Sequence, residues 1–181
     1  GAALRVFEVD HPATQALKKE RLAEAGLAVP PWLRFVPVDF QVQTLAGELA
    51  AAGHDPGRPS FFAWLGVTLY LTPEEILNTL GFIARGPAGG GVVFDYAVAP
   101  ELLDERGRRA FEAIAGRTAA AGEPWRGWFD PAALAKALDR LGFTQVEDLG
   151  QAEINQRYFA GRGDGLGVGS LSRLVTALVG L

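Results

Sequence analysis

The sequence contains no cysteine and no methionine, and only two histidines, His11 and His54, among its 181 residues. Without cysteine the chain can form neither a disulfide framework, nor a thiol nucleophile, nor a thiolate metal site. The two histidines lie far apart and lack the spacing of metal ligands, so no metal site is expected. Because the sequence contains no methionine, we expect that residue 1 is not a natural translation start.

Long apolar runs and clusters of basic charge are also lacking. No stretch reaches the roughly 18 consecutive apolar residues of a membrane-spanning helix, and no signal peptide is recognisable. The 17 basic residues are outnumbered by 21 acidic ones, which gives a formal net charge of −4. This balance argues against nucleic acid or an anionic membrane as the main partner, and a cytoplasmic location is the default expectation.

The most informative stretch lies near the start of the chain, where Leu4 to Val9 is apolar and precedes Asp10, His11 and Pro12. Such a run predicts a buried strand, and Pro12 can begin a helix but cannot continue a strand ladder. In open α/β sheets, ligands bind at the carboxyl ends of strands, and an acid in this position typically holds a ribose diol. The alternative that Asp10 merely caps the helix stays open.

The remaining chain repeats this alternation of strands and helices. Apolar runs, turn clusters and helix-start signals predict the following order: strands at 33–38, 60–67 and 91–97, helices at 13–25, 45–52, 73–84, 101–121 and 131–141, strands at 143–149 and 153–160, and a weakly helical tail at 171–179. The window at 60–67 is the most apolar and is expected to be a central strand. Together these elements predict one α/β domain over residues 1–181, a Rossmann-like doubly wound sheet that is mostly parallel and closes with a C-terminal antiparallel hairpin.

An aromatic loop precedes the helix at 131–141. It contains Trp125 and Trp128 between Gly122 and Phe129. Two tryptophans in one loop are more than packing normally requires, so this loop is a candidate lid or pocket wall.

Five segments in register resemble one family. They are Phe7-Glu8-Val9-Asp10-His11-Pro12, Val36-Pro37-Val38-Asp39-Phe40, Phe61-Phe62-Ala63-Trp64-Leu65-Gly66-Val67 with Tyr70-Leu71-Thr72, Gly122-Glu123-Pro124-Trp125, and Arg157-Tyr158-Phe159-Ala160-Gly161-Arg162. This set is similar to the class I S-adenosylmethionine-dependent methyltransferases of the leucine carboxyl methyltransferase type, in particular their bacterial O-methyltransferase branch.

The resemblance implies a role for each matched residue. Asp10 would accept hydrogen bonds from the ribose hydroxyls of S-adenosylmethionine, Asp39 would accept one from the exocyclic amine of the adenine, and Phe40 would give the ring an apolar face. The stretch Trp64-Leu65-Gly66 would lie beside the sulfonium and its methyl group. An apolar slot with a few placed polar groups is what this cofactor requires.

Two features depart from the family pattern. The glycine-rich loop that follows the family's first strand is absent from this chain, and Leu65 stands where the eukaryotic members have a glutamate. Without its first strand, a sheet would leave a slot of unpaired backbone groups, which are costly to bury. The expectation is therefore an N-terminally truncated domain whose missing upstream segment is needed for function.

The implied reaction is O-methylation of a carboxylate or hydroxyl acceptor, on either a small molecule or a protein. A carboxylate needs no general base, and no catalytic residue is identified. Tyr70, Trp125 and Tyr158 are the candidate acceptor-binding residues, although either tyrosine could instead be a core aromatic with its hydroxyl at the surface. Two alternatives stay open: a nicotinamide-dependent reductase on a related fold, and a fragment that is inactive without its upstream part.

Overall fold

The computed structural model describes residues 4–40 and 42–180, and the chain divides into two compact units, Gly1–Pro56 and Gly57–Leu181. The first unit contains strand β1 (Val6–Asp10), helix α1 (Pro12–Glu24), strand β2 (Leu33–Pro37) and helix α2 (Leu45–Ala51). Strands β1 and β2 are parallel, and their register pairs Val6 with Leu33 and Asp10 with Pro37. The predicted strand–helix–strand order is therefore confirmed in this unit.

Helix α1 begins directly after β1 because Pro12 occupies its first turn and His11 is its N-cap. The Nδ1 atom of His11 accepts a hydrogen bond from the amide of Ala13 over 3.3 Å. The Oδ1 atom of Asp10 accepts one from the His11 amide over 2.7 Å. Asp10 thus holds the capping residue in place and is not the N-cap itself, so the simple capping alternative is wrong.

The second unit contains the larger sheet. Its elements are β3 (Phe61–Trp64), a short 3-10 turn (Thr68–Tyr70), α3 (Pro73–Ala84), β4 (Gly91–Val98), a second 3-10 turn (Pro100–Leu102), α4 (Glu105–Ala120), β5 (Trp128–Phe129), α5 (Pro131–Leu141), β6 (Phe143–Leu149), α6 (Gln151–Tyr158) and β7 (Ser172–Val179). The strand order is β3-β4-β7-β6, and β5 also pairs with β4. Strands β3 and β5 run parallel to β4, whereas β7 is antiparallel to both β4 and β6.

One face of this sheet carries the core of the second unit. Alternate residues of β4 and β7, among them Val92, Phe94 and Val175, are fully buried. They form one cluster with Ile76 and Leu80 of α3 and with three further apolar residues, Leu134, Leu138 and Phe143. Helix α3 starts where predicted, because Thr72 and Glu75 form a reciprocal capping box. The mixed α/β sheet of the prediction is confirmed.

The antiparallel closing pair exists, but its second strand is not where the sequence predicted it. Residues 153–160 were expected to be a strand, yet they belong mostly to α6, whose first turn is capped by Glu153 accepting the amide of Gly150 over 3.0 Å. Residues 171–179 were expected to be weakly helical, yet they form β7. The alternating burial of Val175, Ala177 and Val179 is the period-two pattern of a strand, so the helical prediction was wrong. Because α6 intervenes, β6 and β7 are not a hairpin.

Strand β3 is shorter than predicted and lies at the side of its sheet. Within residues 4–40 and 42–180 it pairs with β4 alone, and Phe61 is 57% exposed. The expectation of a central strand was therefore wrong for the sheet that the structure describes. The apolar composition of the window indicated burial, but burial alone does not reveal how many strands pair with it.

No helix in the described part of the chain is both long and apolar enough to cross a membrane. The expectation of a single domain over 1–181 stays a prediction.

Candidate functional site

In the first unit, Asp10 and Asp39 lie at the ends of neighbouring strands. The amide of Val38 donates to the carbonyl oxygen of Asp10 over 2.9 Å, so the chain leaving β2 stays beside the end of β1. Asp39 follows one residue later, and its amide donates to Oε1 of Gln43 over 2.9 Å. Because parallel strands end at the same edge of a sheet, the structure brings both acids to one edge.

The surroundings of these acids suit a polar ligand. Both residues are half-buried, and Phe40, the next residue after Asp39, is 37% exposed. The contact with the His11 amide orients the Asp10 carboxylate but uses only one of its roughly four lone-pair positions. A carboxylate held in this way can still accept hydrogen bonds from a diol.

His54 contributes a further aromatic group to the first unit. Its ring meets the ring of Phe7 edge to face, with 5.6 Å between the centroids. Burial lowers the pKa of His54 below 6.5, and the neighbouring Arg5 adds to this effect while Asp55 opposes it. The sequence alone gave no reason to expect this contact, because Phe7 and His54 are distant in the chain.

In the second unit, the stretch Trp64-Leu65-Gly66 ends β3 at the same side of the sheet as the end of β4. The Gly66 amide donates to Oδ1 of Asp95 over 2.8 Å. Gly66 has a φ of +71°, and a Cβ built on it would meet no atom within 4 Å, so its backbone faces open space. Leu65 is 53% exposed, whereas the Trp64 ring lies 6.3 Å from that of Phe94 in the core.

Tyr70 and Trp125 lie on segments that are hydrogen-bonded to each other. The Arg126 amide donates to the carbonyl oxygen of Leu69 over 2.7 Å. The two segments approach so closely that a Cβ on Gly127 would lie 2.5 Å from the carbonyl oxygen of Leu71. The structure therefore brings the aromatic loop next to the 3-10 turn that carries Tyr70.

The Trp125 side chain packs inward. Its ring meets Phe111 of α4 edge to face at 5.3 Å. Its Nε1 atom is buried and makes no hydrogen bond within the described part of the chain. A buried indole N–H without an acceptor is unusual.

Tyr158 occupies a different region of the second unit. It ends α6 and is 59% exposed. The preceding residue, Arg157, donates two hydrogen bonds to the Glu147 carboxylate of β6, over 3.0 and 2.7 Å, and this contact lowers the pKa of Glu147. Helix α6 is thus tied to β6, which lies at the opposite side of the sheet from β3.

A polar cluster inside the second unit was not predicted from the sequence. Tyr96, on β4, donates to Oδ2 of Asp148 over 2.8 Å, and Arg173 donates through Nε to Oδ1 of the same carboxylate over 2.9 Å. Tyr96 is 1% exposed, and burial together with the Asp148 contact raises the pKa of its phenol. The sequence did not predict this cluster because Arg173 lies in a segment, 171–179, that was predicted to be helical.

Arg173 also lines a cavity of about 310 Å³. The cavity lies at the carboxyl end of β4, beside the first turns of α4 and α5. Its lining consists of Val98, Leu102, Leu103, Asp104, Pro131, Ser170 and Arg173.

Solved structures identify the class of fold. Human N-acetylserotonin methyltransferase, determined in complex with S-adenosylmethionine, has a TM-score of 0.55 and 15% identity, over 98% of this chain and 41% of that protein. Magnesium protoporphyrin IX methyltransferase (ChlM) from Synechocystis PCC 6803, determined with bound S-adenosylhomocysteine, has a TM-score of 0.54 and 15% identity, over 97% and 64%. The fold is that of the Rossmann-like methyltransferases.

Sequence comparison then shows a likeness to one family over part of the chain. Residues 2–84 match the family model of leucine carboxyl methyltransferase. YktD of Bacillus subtilis (strain 168), which carries the name S-adenosyl-L-methionine-dependent methyltransferase, is 36% identical over 165 residues, covering 91% of this chain and 54% of that protein. The resemblance to leucine carboxyl methyltransferases is thus confirmed. The chain spans about half the length of this curated relative.

Proposed function

We propose that this chain is part of an S-adenosylmethionine-dependent methyltransferase that methylates an oxygen of a carboxylate or hydroxyl acceptor. The observation that carries the proposal is the placement of Asp10 and Asp39 at one edge of the β1–β2 pair. This pair lies inside the segment that matches the leucine carboxyl methyltransferase model. The relative named above, YktD, and the cofactors bound in the two solved methyltransferases give further support.

The residues at the ends of β1 and β2 are suited to an adenosyl group. Asp10 accepts hydrogen bonds from the ribose hydroxyls, because its carboxylate is already oriented by the His11 amide. Asp39 accepts one from the exocyclic amine of the adenine, and the exposed ring of Phe40 packs on the base. For the sulfonium end of the cofactor we propose Trp64, Leu65 and Gly66, the stretch that the family resemblance assigns to it; a Cβ built on Gly66 would meet no atom within 4 Å.

The reaction moves one methyl group. Held by Asp10 and Asp39, S-adenosylmethionine would supply an electrophilic methyl group to the acceptor oxygen, and the electron pair of the broken C–S bond would stay on sulfur in the neutral thioether product. A carboxylate acceptor carries its negative charge already, so no proton has to be removed and positioning supplies much of the acceleration. Tyr70 and Trp125, which lie on adjoining segments, are proposed to contact the acceptor, whereas Tyr158, the third candidate, lies at the opposite side of the sheet from β3.

Isothermal titration calorimetry with S-adenosylhomocysteine tests the cofactor part of this proposal. We expect S-adenosylhomocysteine to bind and NAD, which also presents a ribose diol and an adenine, to bind at least about tenfold more weakly. Preferential binding of NAD would support a nicotinamide-dependent reductase instead. Equal binding, or no binding of either ligand, would contradict the proposed cofactor site in this chain.

A further inference from the structure

The cavity at the carboxyl end of β4 is a second place where the fold can hold a small molecule. In open α/β sheets, ligands bind beyond the carboxyl ends of the parallel strands. This cavity lies beyond Val98, the last residue of β4, and the neighbouring strand β3 ends at Gly66, which is hydrogen-bonded to Asp95 of β4. A molecule in the cavity is therefore at the same edge as the stretch proposed to hold the reactive methyl group.

Four of the seven residues that line the cavity are apolar, and the other three are Ser170, Asp104 and Arg173. Val98, Leu102, Leu103 and Pro131 give it an apolar wall, and Arg173 contributes the only cationic side chain of this lining. The one acidic side chain, Asp104, accepts the Gly107 amide through Oδ1 over 2.7 Å as the N-cap of α4. Such a lining fits a molecule that has an apolar body and an anionic group.

Arg173 is held in place before any ligand arrives. Its Nε atom donates to the Asp148 side chain over 2.9 Å, and one of its terminal nitrogens donates to the Asp148 carbonyl oxygen over 3.3 Å. Tyr96 fixes the other oxygen of that carboxylate. A guanidinium that is already ordered loses little side-chain freedom on binding an anion, and it has five N–H donors, more than the Asp148 contacts use.

We propose that this cavity is the binding site for the acceptor of the methyl group, and that the acceptor is an apolar organic molecule with an anionic anchor that Arg173 holds. Arg173 is thus a specificity-determining residue. The identification of the occupant as the acceptor rests on the proposed methyltransferase function. The preference of the cavity for an apolar acid rests only on its own lining.

The test compares two probes that share one apolar body, 4-phenylbutyrate and its uncharged amide, 4-phenylbutyramide. Binding to the whole 181-residue chain is followed by two-dimensional NMR of the Leu and Val methyl groups, which include Val98, Leu102 and Leu103. We expect the acid to bind at least about tenfold more tightly than the amide, because the contact with a guanidinium is charge-assisted. The shifted methyl signals should be those of the cavity.

Three variants test whether the preference for the acid depends on Arg173 and on the cavity. Arg173→Gln should abolish the preference for the acid and leave binding of the amide within about twofold. The matched control is Arg162→Gln, which removes an arginine paired with Asp164 outside the cavity and should change neither affinity. Leu102→Trp enlarges a lining side chain that is 51% exposed and takes no part in the Tyr96–Asp148–Arg173 contacts, and it should weaken both probes.

The result that would overturn the inference is equal binding of acid and amide by the unmodified chain, or undiminished acid binding by Arg173→Gln. If Arg173→Gln fails to fold, Leu102→Trp decides: unchanged acid binding by that variant contradicts the cavity as the site. S-adenosylhomocysteine is titrated in parallel, so that a failure of the cavity proposal can be distinguished from a failure of the methyltransferase proposal. Acid binding that depends on Arg173, without binding of S-adenosylhomocysteine, supports an organic-acid site and contradicts the methyltransferase proposal.

Discussion

The phenol of Tyr96 donates a hydrogen bond to the carboxylate of Asp148 over 2.8 Å, although their strands, β4 and β6, are not neighbours in the sheet. Strand β7 lies between them and contributes Arg173, the cross-strand partner of Tyr96, to the same carboxylate. One acid therefore connects three strands. Because burial makes an unpaired polar group costly, this cluster favours a single register of the antiparallel strands.

The first prediction concerns this cluster. Tyr96→Phe removes the hydroxyl that Asp148 accepts and should lower the free energy of unfolding by about 1–2 kcal/mol, since the carboxylate keeps Arg173 but loses a buried donor. Urea unfolding followed by circular dichroism measures the change. Tyr158→Phe, at an exposed position, is the control and should lie within about 0.5 kcal/mol of the unmodified chain. Equal stability of the two variants would contradict the assigned role of Tyr96.

The second prediction concerns the proposed adenosyl site. Asp10→Asn should weaken binding of S-adenosylhomocysteine at least about tenfold, because an amide is a poorer acceptor for a diol than an oriented carboxylate. Asp39→Ala should weaken it as well. Glu20→Gln removes an exposed carboxylate from α1 and serves as the control for a general charge effect. The site would be misplaced if all three variants bound the ligand as the unmodified chain does.

A third prediction compares two glycines. Gly127→Ala should destabilise the chain by at least about 1–3 kcal/mol, because the new methyl group would lie 2.5 Å from the Leu71 carbonyl oxygen and 2.6 Å from that of Thr68. Gly116→Ala adds the same atom to α4, where no atom lies within 4 Å, and should stabilise by about 0.5–1 kcal/mol. Thermal unfolding of both variants gives the comparison. Opposite signs are expected, and a neutral Gly127→Ala would rule out the close contact.

The fourth prediction is a pH dependence of stability from His54. The pKa of His54 is lowered in the folded chain. Between that lowered pKa and 6.5, His54 therefore carries its proton more often in the unfolded chain than in the folded one. The stabilising contribution of the neutral ring is complete above about pH 6.5 and is lost as the pH falls below it. NMR titration of the His54 ring should give a pKa below 6.5. Between pH 7.5 and 5.5, the free energy of unfolding should fall less for His54→Phe than for the unmodified chain. An equal fall in both proteins would contradict the assignment to His54.

The sequence predicted those features that depend on neighbours in the chain. The α3 start was predictable because Thr72, Pro73 and Glu75 form their contacts within one turn. The placement of Asp10 and Asp39 at strand ends was predictable because each acid follows an apolar run. Which strands pair with each other could not be predicted from neighbours in the chain. The local pattern at 171–179 predicts a weak helix, but in the structure this segment is β7 and pairs with both β4 and β6. Only that long-range pairing places Arg173 beside Tyr96.

The exposed ring of Phe61 has a practical consequence for work with this chain in solution. Its side chain is 57% exposed, and residues Phe61–Trp64 carry no charge that would keep a second molecule away. Self-association at high protein concentration is therefore expected to involve the Phe61 side chain. A lysine at the exposed position Ala63 is the substitution that should suppress it.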